Sequence, residues 1–232
     1  MWQEKHKVCK VAFPVQVAAS KARYEIPYGS IERSTGSETE EEKAQIEVAA
    51  QRWADLSDGE YGVALINDCK HGYDIKANRM RLTLLRAPDY PDVLADRGYH
   101  DFRYALLPHK GDCSAGEVTR RSLEFNEPLQ LLRTNGHAGE LPNALSFVQI
   151  EPANVVLNSL KKAEDDKDWI VRVYETAGKS ATVNIGFRPL ISRAAEVNLI
   201  EDHLGDIPHQ KNSIAFTIKP NEIRTFKVRL AN

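Results

Sequence analysis

The sequence predicts an all-β protein: an antiparallel β-sandwich followed by a second, smaller β-sandwich. Three observations carry that expectation. Short apolar or alternating runs rich in β-branched and aromatic residues recur along the whole chain. Turn-forming residues separate them, at Ser57-Asp58-Gly59, Gly72, Asn78, Pro88 through Pro91, Lys110-Gly111-Asp112, Thr176-Ala177-Gly178 and Lys219-Pro220-Asn221. A single stretch, Ser114 to Phe125, carries a helix start signal. Many short strands at this spacing point to sandwich architecture.

In chain order, the first strands are expected at 7–17, 22–28, 44–53, 60–67, 79–86 and 100–107. The first (Lys7 to Val17, KVCKVAFPVQV) begins almost at Met1, so the chain reads as a piece of a longer polypeptide. Ile31 to Lys43 (IERSTGSETEEEK) is polar and acidic and is expected to be a long exposed loop. Trp53-Ala54-Asp55-Leu56-Ser57 reads as a turn. In the helical stretch, Ser114 is the expected N-cap, with Glu117 at capping-box spacing and Val118, Leu123 and Phe125 as apolar contacts. Leu132 to Pro142 (LRTNGHAGELP) has two glycines and no apolar periodicity, the composition of a boundary. The expected units are therefore 1–145 and 146–232. Beyond that boundary the strand pattern restarts at 145–150, 154–160, 168–175, 180–187, 194–199, 213–218 and 222–230.

With 232 residues the chain is long enough to bury a sizeable core. Hydrophobic residues are 42% and charged residues 28%, an ordinary globular balance. The formal net charge of −2 gives no electrostatic case for nucleic acid or an anionic membrane. No apolar run approaches the roughly 18 residues of a membrane helix, and the charged start MWQEKHKVCK lacks a signal-peptide core. The three cysteines, Cys9, Cys69 and Cys113, form no CxxC pair and read as reduced thiols of a cytoplasmic protein. The seven histidines (His6, His71, His100, His109, His137, His203, His209) are scattered without metal-ligand spacing, so no metal is expected within this chain. No Ser-His-Asp order, phosphate loop or nucleophile elbow is present.

The densest polar stretch is Asn67 to Asp74, with Asn67, Asp68, Lys70, His71, Tyr73 and Asp74 following an apolar strand. Planar polar groups beside an aromatic face suit sugar hydroxyls and ring C–H faces. The competing account is a hairpin turn stabilised locally by an Asp68–Lys70 pair. Trp53 and Trp169 are expected in cores, Arg81 and Arg86 in strand-face ion pairs, and Arg172 with Glu175 in a structural role. Asp89-Tyr90-Pro91-Asp92 with Asp96-Arg97 reads as an acidic turn-rich loop, with a cleft rim as the alternative.

Several ordered motifs resemble one known family. They include Lys10-Val11-Ala12-Phe13-Pro14-Val15, Tyr24-Glu25-Ile26-Pro27-Tyr28-Gly29 and Ala50-Gln51-Arg52-Trp53-Ala54-Asp55-Leu56-Ser57. They continue through Ala64-Leu65-Ile66-Asn67-Asp68-Cys69-Lys70-His71-Gly72-Tyr73-Asp74 and Arg81-Leu82-Thr83-Leu84-Leu85-Arg86-Ala87-Pro88, then reappear in Val155-Val156-Leu157-Asn158-Ser159-Leu160 and Arg172-Val173-Tyr174-Glu175. This order resembles the C-terminal β-region of glycoside hydrolase family 38 α-mannosidases, in the cytosolic and bacterial branch. His71 and Cys69 depart from the family pattern, where Tyr and often Ser are expected.

The resemblance implies a portion of a galactose-mutarotase-like supersandwich, then a small immunoglobulin-like tail. It implies a non-catalytic part of an enzyme whose zinc, nucleophile and acid/base carboxylate lie on an N-terminal catalytic domain outside this chain. It also implies α-mannosides as substrate, hydrolysed with retention by two carboxylates about 5 Å apart, and a loop near 67–74 that helps wall the sugar cleft. Asn67, Asp68, Lys70, His71 and Tyr73 are the candidate cleft residues. A homo-oligomer interface is a further role the resemblance allows. The rival readings are a stand-alone carbohydrate-binding or mutarotase-like module, in which His71, His100 or His109 would converge with a glutamate, and a pure scaffold.

Overall fold

The computed structural model describes residues 1–231, and it is built almost entirely from antiparallel strands. The chain divides into two compact units, Met1–Leu129 and Gln130–Asn232. No helix or strand lies between Asn126 and Val148.

The first unit carries two sheets. One has four strands in the order β1 (Cys9–Pro14), β8 (Arg79–Leu85), β7 (Gly72–Lys76), β4 (Val48–Ala49). The other has five: β3 (Gly29–Ser34), β2 (Lys21–Ile26), β5 (Trp53–Ser57), β6 (Tyr61–Asn67), β9 (Tyr104–Lys110). Side chains alternate across a strand, and here that alternation feeds two cores. Tyr24, Ala54, Leu56, Val63 and Leu65 meet Tyr73, Ile75, Met80 and Leu82 between the sheets. On the outer face of the five-stranded sheet, Trp53, Ala64 and Ile66 are covered by Val118 and Phe125 of helix α2 (Val118–Asn126).

This double coverage corrects the expectation of a turn at Trp53 to Ser57. The segment is strand β5, and Trp53, Ala54, Asp55 and Leu56 are all buried. A strand buried on both faces shows no polar alternation, so its pattern is easily misread. Three other expectations shift. The polar stretch 31–43 is exposed for most of its length but ordered: it contributes to β3 and to a one-turn helix α1 (Glu40–Ala44), capped by Thr39 and Glu42 in a reciprocal box. Helix α2 starts at Val118, later than expected. Ser114 does not cap it; instead the Asp112 carboxylate accepts the N–H groups of Ser114 (3.0 Å) and Ala115 (2.9 Å) in the preceding turn. The loop after Asn67 is short, because Gly72 already begins β7.

The second unit pairs a three-stranded sheet, β10 (Val148–Glu151), β13 (Ala181–Phe187), β16 (Ser213–Ile218), with a five-stranded one. The latter runs β11 (Val155–Lys162), β12 (Trp169–Glu175), β17 (Ile223–Leu230), β14 (Ile191–Val197), β15 (His203–Asp206). Val171, Val173, Phe226 and Val228 from one sheet pack with Val183, Ile185, Phe187 and Ile214 from the other, the core of a sandwich. Trp169 is half-buried against Phe147, with ring centroids 5.7 Å apart.

Arg172 and Glu175 are structural, although they do not bond each other. Arg172 donates to Thr225 Oγ1 (3.0 Å) and the Leu199 carbonyl (2.8 Å). Glu175 is fully buried, and its carboxylate accepts from Asn154 Nδ2 and from the N–H groups of Ala177, Gly178, Lys179 and Asn221 at 2.7–3.2 Å. It thereby ties the turn after β12 to the turn before β17. Glu175→Ala strips these buried donors of their acceptor and is expected to lower stability by on the order of 3 kcal/mol, read as a shifted urea midpoint. An unchanged midpoint would contradict this role.

Candidate functional site

The site grows from the end of β6. Asn67 shares a strand face with Val63 and Leu65, so its side chain enters the inter-sheet core and is 1% exposed. A buried amide must be paired. Nδ2 donates to the Gln51 carbonyl (3.3 Å) and to the Tyr73 hydroxyl. Oδ1 accepts from the N–H groups of Cys69 (3.0 Å) and Lys70, closing an Asx turn. Tyr73 is fully buried, donates to the Gln51 carbonyl at 3.2 Å, and meets Tyr24 edge to face at 6.4 Å. Burial raises its phenol far above the ordinary range. Asn67 and Tyr73, named as cleft residues from sequence, are thus the buried support of the loop and not part of its surface.

The other candidates lie above them. Asp68 does not pair with Lys70. Its carboxylate accepts from Arg103 Nε at 2.9 Å. Burial opposes its ionisation, but the Cys69 thiol and Arg103 outweigh that and hold the carboxyl below its usual range. Lys70 places its ammonium 4.4 Å from the centre of the Phe102 ring. His71 is exposed, with Nδ1 3.2 Å from the Ala50 carbonyl.

Lys70 and His71 open onto a cavity of about 530 Å³, whose other polar walls are Glu47, Thr83, Arg86 and Asp96. Arg81 makes the expected ion pair, with Asp74, whereas Arg86 lies just past β8 on the cavity wall. The segment after β8, which contributes Arg86, Pro88 and Asp96 to the cavity, is a tethered loop. Asp96 accepts from the N–H groups of Arg86 and Ala87, both at 2.8 Å, and this holds its carboxyl below the usual range. His6 bonds Asp89 at 2.8 Å, and Trp2 bridges to Gly98. Glu47 shares the cavity with His71, the pairing a mutarotase-like module would use, but it is engaged by Lys10 at 2.8 Å and by Thr83.

Among the described residues, no group of three or more His, Cys, Asp or Glu side chains is placed to hold a metal ion. His6, His71 and His109 are each engaged separately, by Asp89, the Ala50 carbonyl and Asp55. The donor set does not fit a zinc site. No described helix is long and apolar enough to cross a membrane.

One buried polar pair escaped the sequence reading. His109 Nε2 lies 2.7 Å from Asp55 Oδ1, with side chains 5% and 1% exposed. Glycines make room for the ring: a Cβ on Gly62 would lie 2.4 Å from His109 Cε1, and one on Gly116 would lie 2.5 Å from Cγ. The available signal was Asp55 itself, a carboxylate inside an apolar segment that needs a partner. Nearby, burial pushes the Cys113 thiol up to about 12.

Comparison with known proteins locates this architecture. Residues 1–94 match the model of the "Glycosyl hydrolases family 38 C-terminal domain", and residues 154–226 match that of the "Glycosyl hydrolases family 38 C-terminal beta sandwich domain". The mouse (Mus musculus) protein named alpha-mannosidase 2C1 is 35% identical across 97% of this chain and 22% of its own length. The Saccharomyces cerevisiae alpha-mannosidase is 30% identical across 98% of this chain and 23% of its own. A crystal structure of an alpha-mannosidase from Enterococcus faecalis superposes with a TM-score of 0.75 at 18% identity, over 95% of this chain and 25% of that one. This chain therefore spans a quarter or less of the length of each of these proteins.

Two tests follow from the geometry. Asn67→Ala removes four hydrogen bonds at once and is expected to cost about 2–4 kcal/mol in urea unfolding; a cost near zero would contradict the support role. For His109, the hydrogen bond to Asp55 outweighs burial and raises the pKa above the ordinary 6.5. A raised folded-state pKa gives stability that is full below the unfolded value and lost as pH rises through the folded one. Urea midpoints measured upward from pH 6 should therefore fall in the wild type relative to His109→Gln, and parallel profiles would refute the assignment. Two family models in chain order, and relatives that align over nearly all of this sequence, give one conclusion: the chain belongs to the C-terminal β-region of glycosyl hydrolase family 38.

Proposed function

We propose that this chain is the non-catalytic β-region of a cytoplasmic, retaining α-mannosidase. On this reading it braces the catalytic part and lends the surface of the Asp68–His71 loop to one wall of the mannoside cleft. The observation that carries it is the coverage: relatives named alpha-mannosidase align over 97–98% of this chain while it spans only 22–23% of theirs. On this reading the zinc and paired carboxylates of such an enzyme belong to the remaining length of the relatives. Three free cysteines suit a reducing compartment.

The loop is fit for this role because its support is rigid. Asn67 fixes the backbone at Cys69 and Lys70 from below, so their neighbours reach outward without ordering cost on binding. Asp68, Lys70 and His71 are then the residues that face the sugar, with Asn67 and Tyr73 as positioning residues beneath.

Aryl α-mannoside hydrolysis with added zinc is expected from a polypeptide joining this region to the preceding part of a family 38 enzyme, and not from the 232-residue chain alone. Turnover by the isolated chain would overturn the proposal.

A further inference from the structure

The cavity beside the 67–72 loop is lined by two carboxylates, Glu47 and Asp96, and two cations, Lys70 and Arg86, and the two kinds of charge are committed differently. Its two carboxylates are satisfied from within. Glu47 is held by Lys10 and the Thr83 hydroxyl, and Asp96 by two backbone N–H groups. The cations act on these carboxylates only at longer range, Arg86 on Glu47 and Lys70 on Asp96, and among the described residues no carboxylate lies within salt-bridge distance of either. The Phe102 ring under Lys70 orients the ammonium without neutralising it. His71 adds one acceptor in its neutral form: the Ala50 carbonyl only accepts, so Nδ1–H donates to it and the neutral ring presents its Nε2 lone pair.

The uncommitted groups of this cavity are thus two cations and one hydroxyl-seeking acceptor. We infer that it binds an anionic sugar, one bearing a carboxylate or phosphate, with Lys70 and Arg86 on the anion and His71 on a neighbouring hydroxyl. A guanidinium and an ammonium lining one cavity suit a multi-oxygen anion. The volume of about 530 Å³ accommodates a monosaccharide with such a substituent. That the ligand is a sugar rests on the function proposed above. That it is anionic does not, because it follows from which donors lack partners.

The test is calorimetric titration of the 232-residue chain at low ionic strength with mannose, mannose 6-phosphate, mannuronic acid and inorganic phosphate. Both anionic sugars are expected to bind at least about tenfold more tightly than mannose, and added salt to weaken them. Lys70→Ala and Arg86→Ala should each weaken them about tenfold or more, with unfolding curves unchanged, and Lys70→Arg should retain most of the binding. Equal affinity for mannose and mannose 6-phosphate would overturn the anionic assignment while leaving the sugar-cleft reading intact. Inorganic phosphate binding as tightly as the sugar phosphate, through the same two cations, would uphold the anion site and remove its support for a sugar. Absence of saturable binding by all four, or binding that survives the double alanine variant, would overturn the inference outright.

Discussion

The constraint on which the first unit turns is that its central strands are covered on both faces. One face of β5 and β6 meets the second sheet, and the other meets α2. Apolar side chains satisfy that arrangement without further demands, but any polar group there must find an internal partner or cost several kcal/mol. The buried carboxylate and amide of these strands, Asp55 and Asn67, show the consequence, whereas the indole N–H of Trp53 has no hydrogen-bond partner among the described residues. Asp55 is answered by His109 from β9, across the intervening β6. Asn67, at the exit of β6, is answered by Tyr73, the Gln51 carbonyl and two N–H groups of its own loop.

The second of these connects folding to the surface. Because Asn67 must be paired, the chain after it is held in one turn, and Lys70 and His71 take fixed places on the cavity wall. A second part of the lining is fixed in the same way by Asp96, whose carboxylate caps the N–H groups of Arg86 and Ala87. Two loops, each pinned by one acidic or amide side chain, thus line one cavity. The second unit uses the same device at Glu175, where a single buried carboxylate organises two turns.

The all-β class was legible because strand periodicity and turn residues agree along most of the chain. Val171 and Val173, or Ile185 and Phe187, sit where the alternating pattern predicts. Legibility failed where burial was two-sided. Trp53 to Ser57 has no alternation to read, since Trp53 and Asp55 face α2 and His109 while Ala54 and Leu56 face the other sheet. Helix α2 failed differently: Ser114 and Glu117 have capping-box spacing, but Asp112 captures the N–H groups of that turn first. In the candidate site, depth was not legible. Asn67, Asp68, Lys70, His71 and Tyr73 look alike as a polar string, and only the pairing of β6 and β7 with their neighbours separates the buried pair from the surface ones. Arg86 reads as a strand-face ion-pair partner and the loop of Asp96 as turn chemistry or a cleft rim, because nothing in sequence brings either residue to those near 70.

The most direct test of the central claim is a crystal structure, with a bound mannoside, of a full-length family 38 enzyme carrying this β-region. The account predicts Lys70 or His71 within hydrogen-bond distance of the sugar or its substituent, over an unchanged Asn67–Tyr73 support. A 67–72 loop turned away from the cleft, with no group near the ligand, would contradict it.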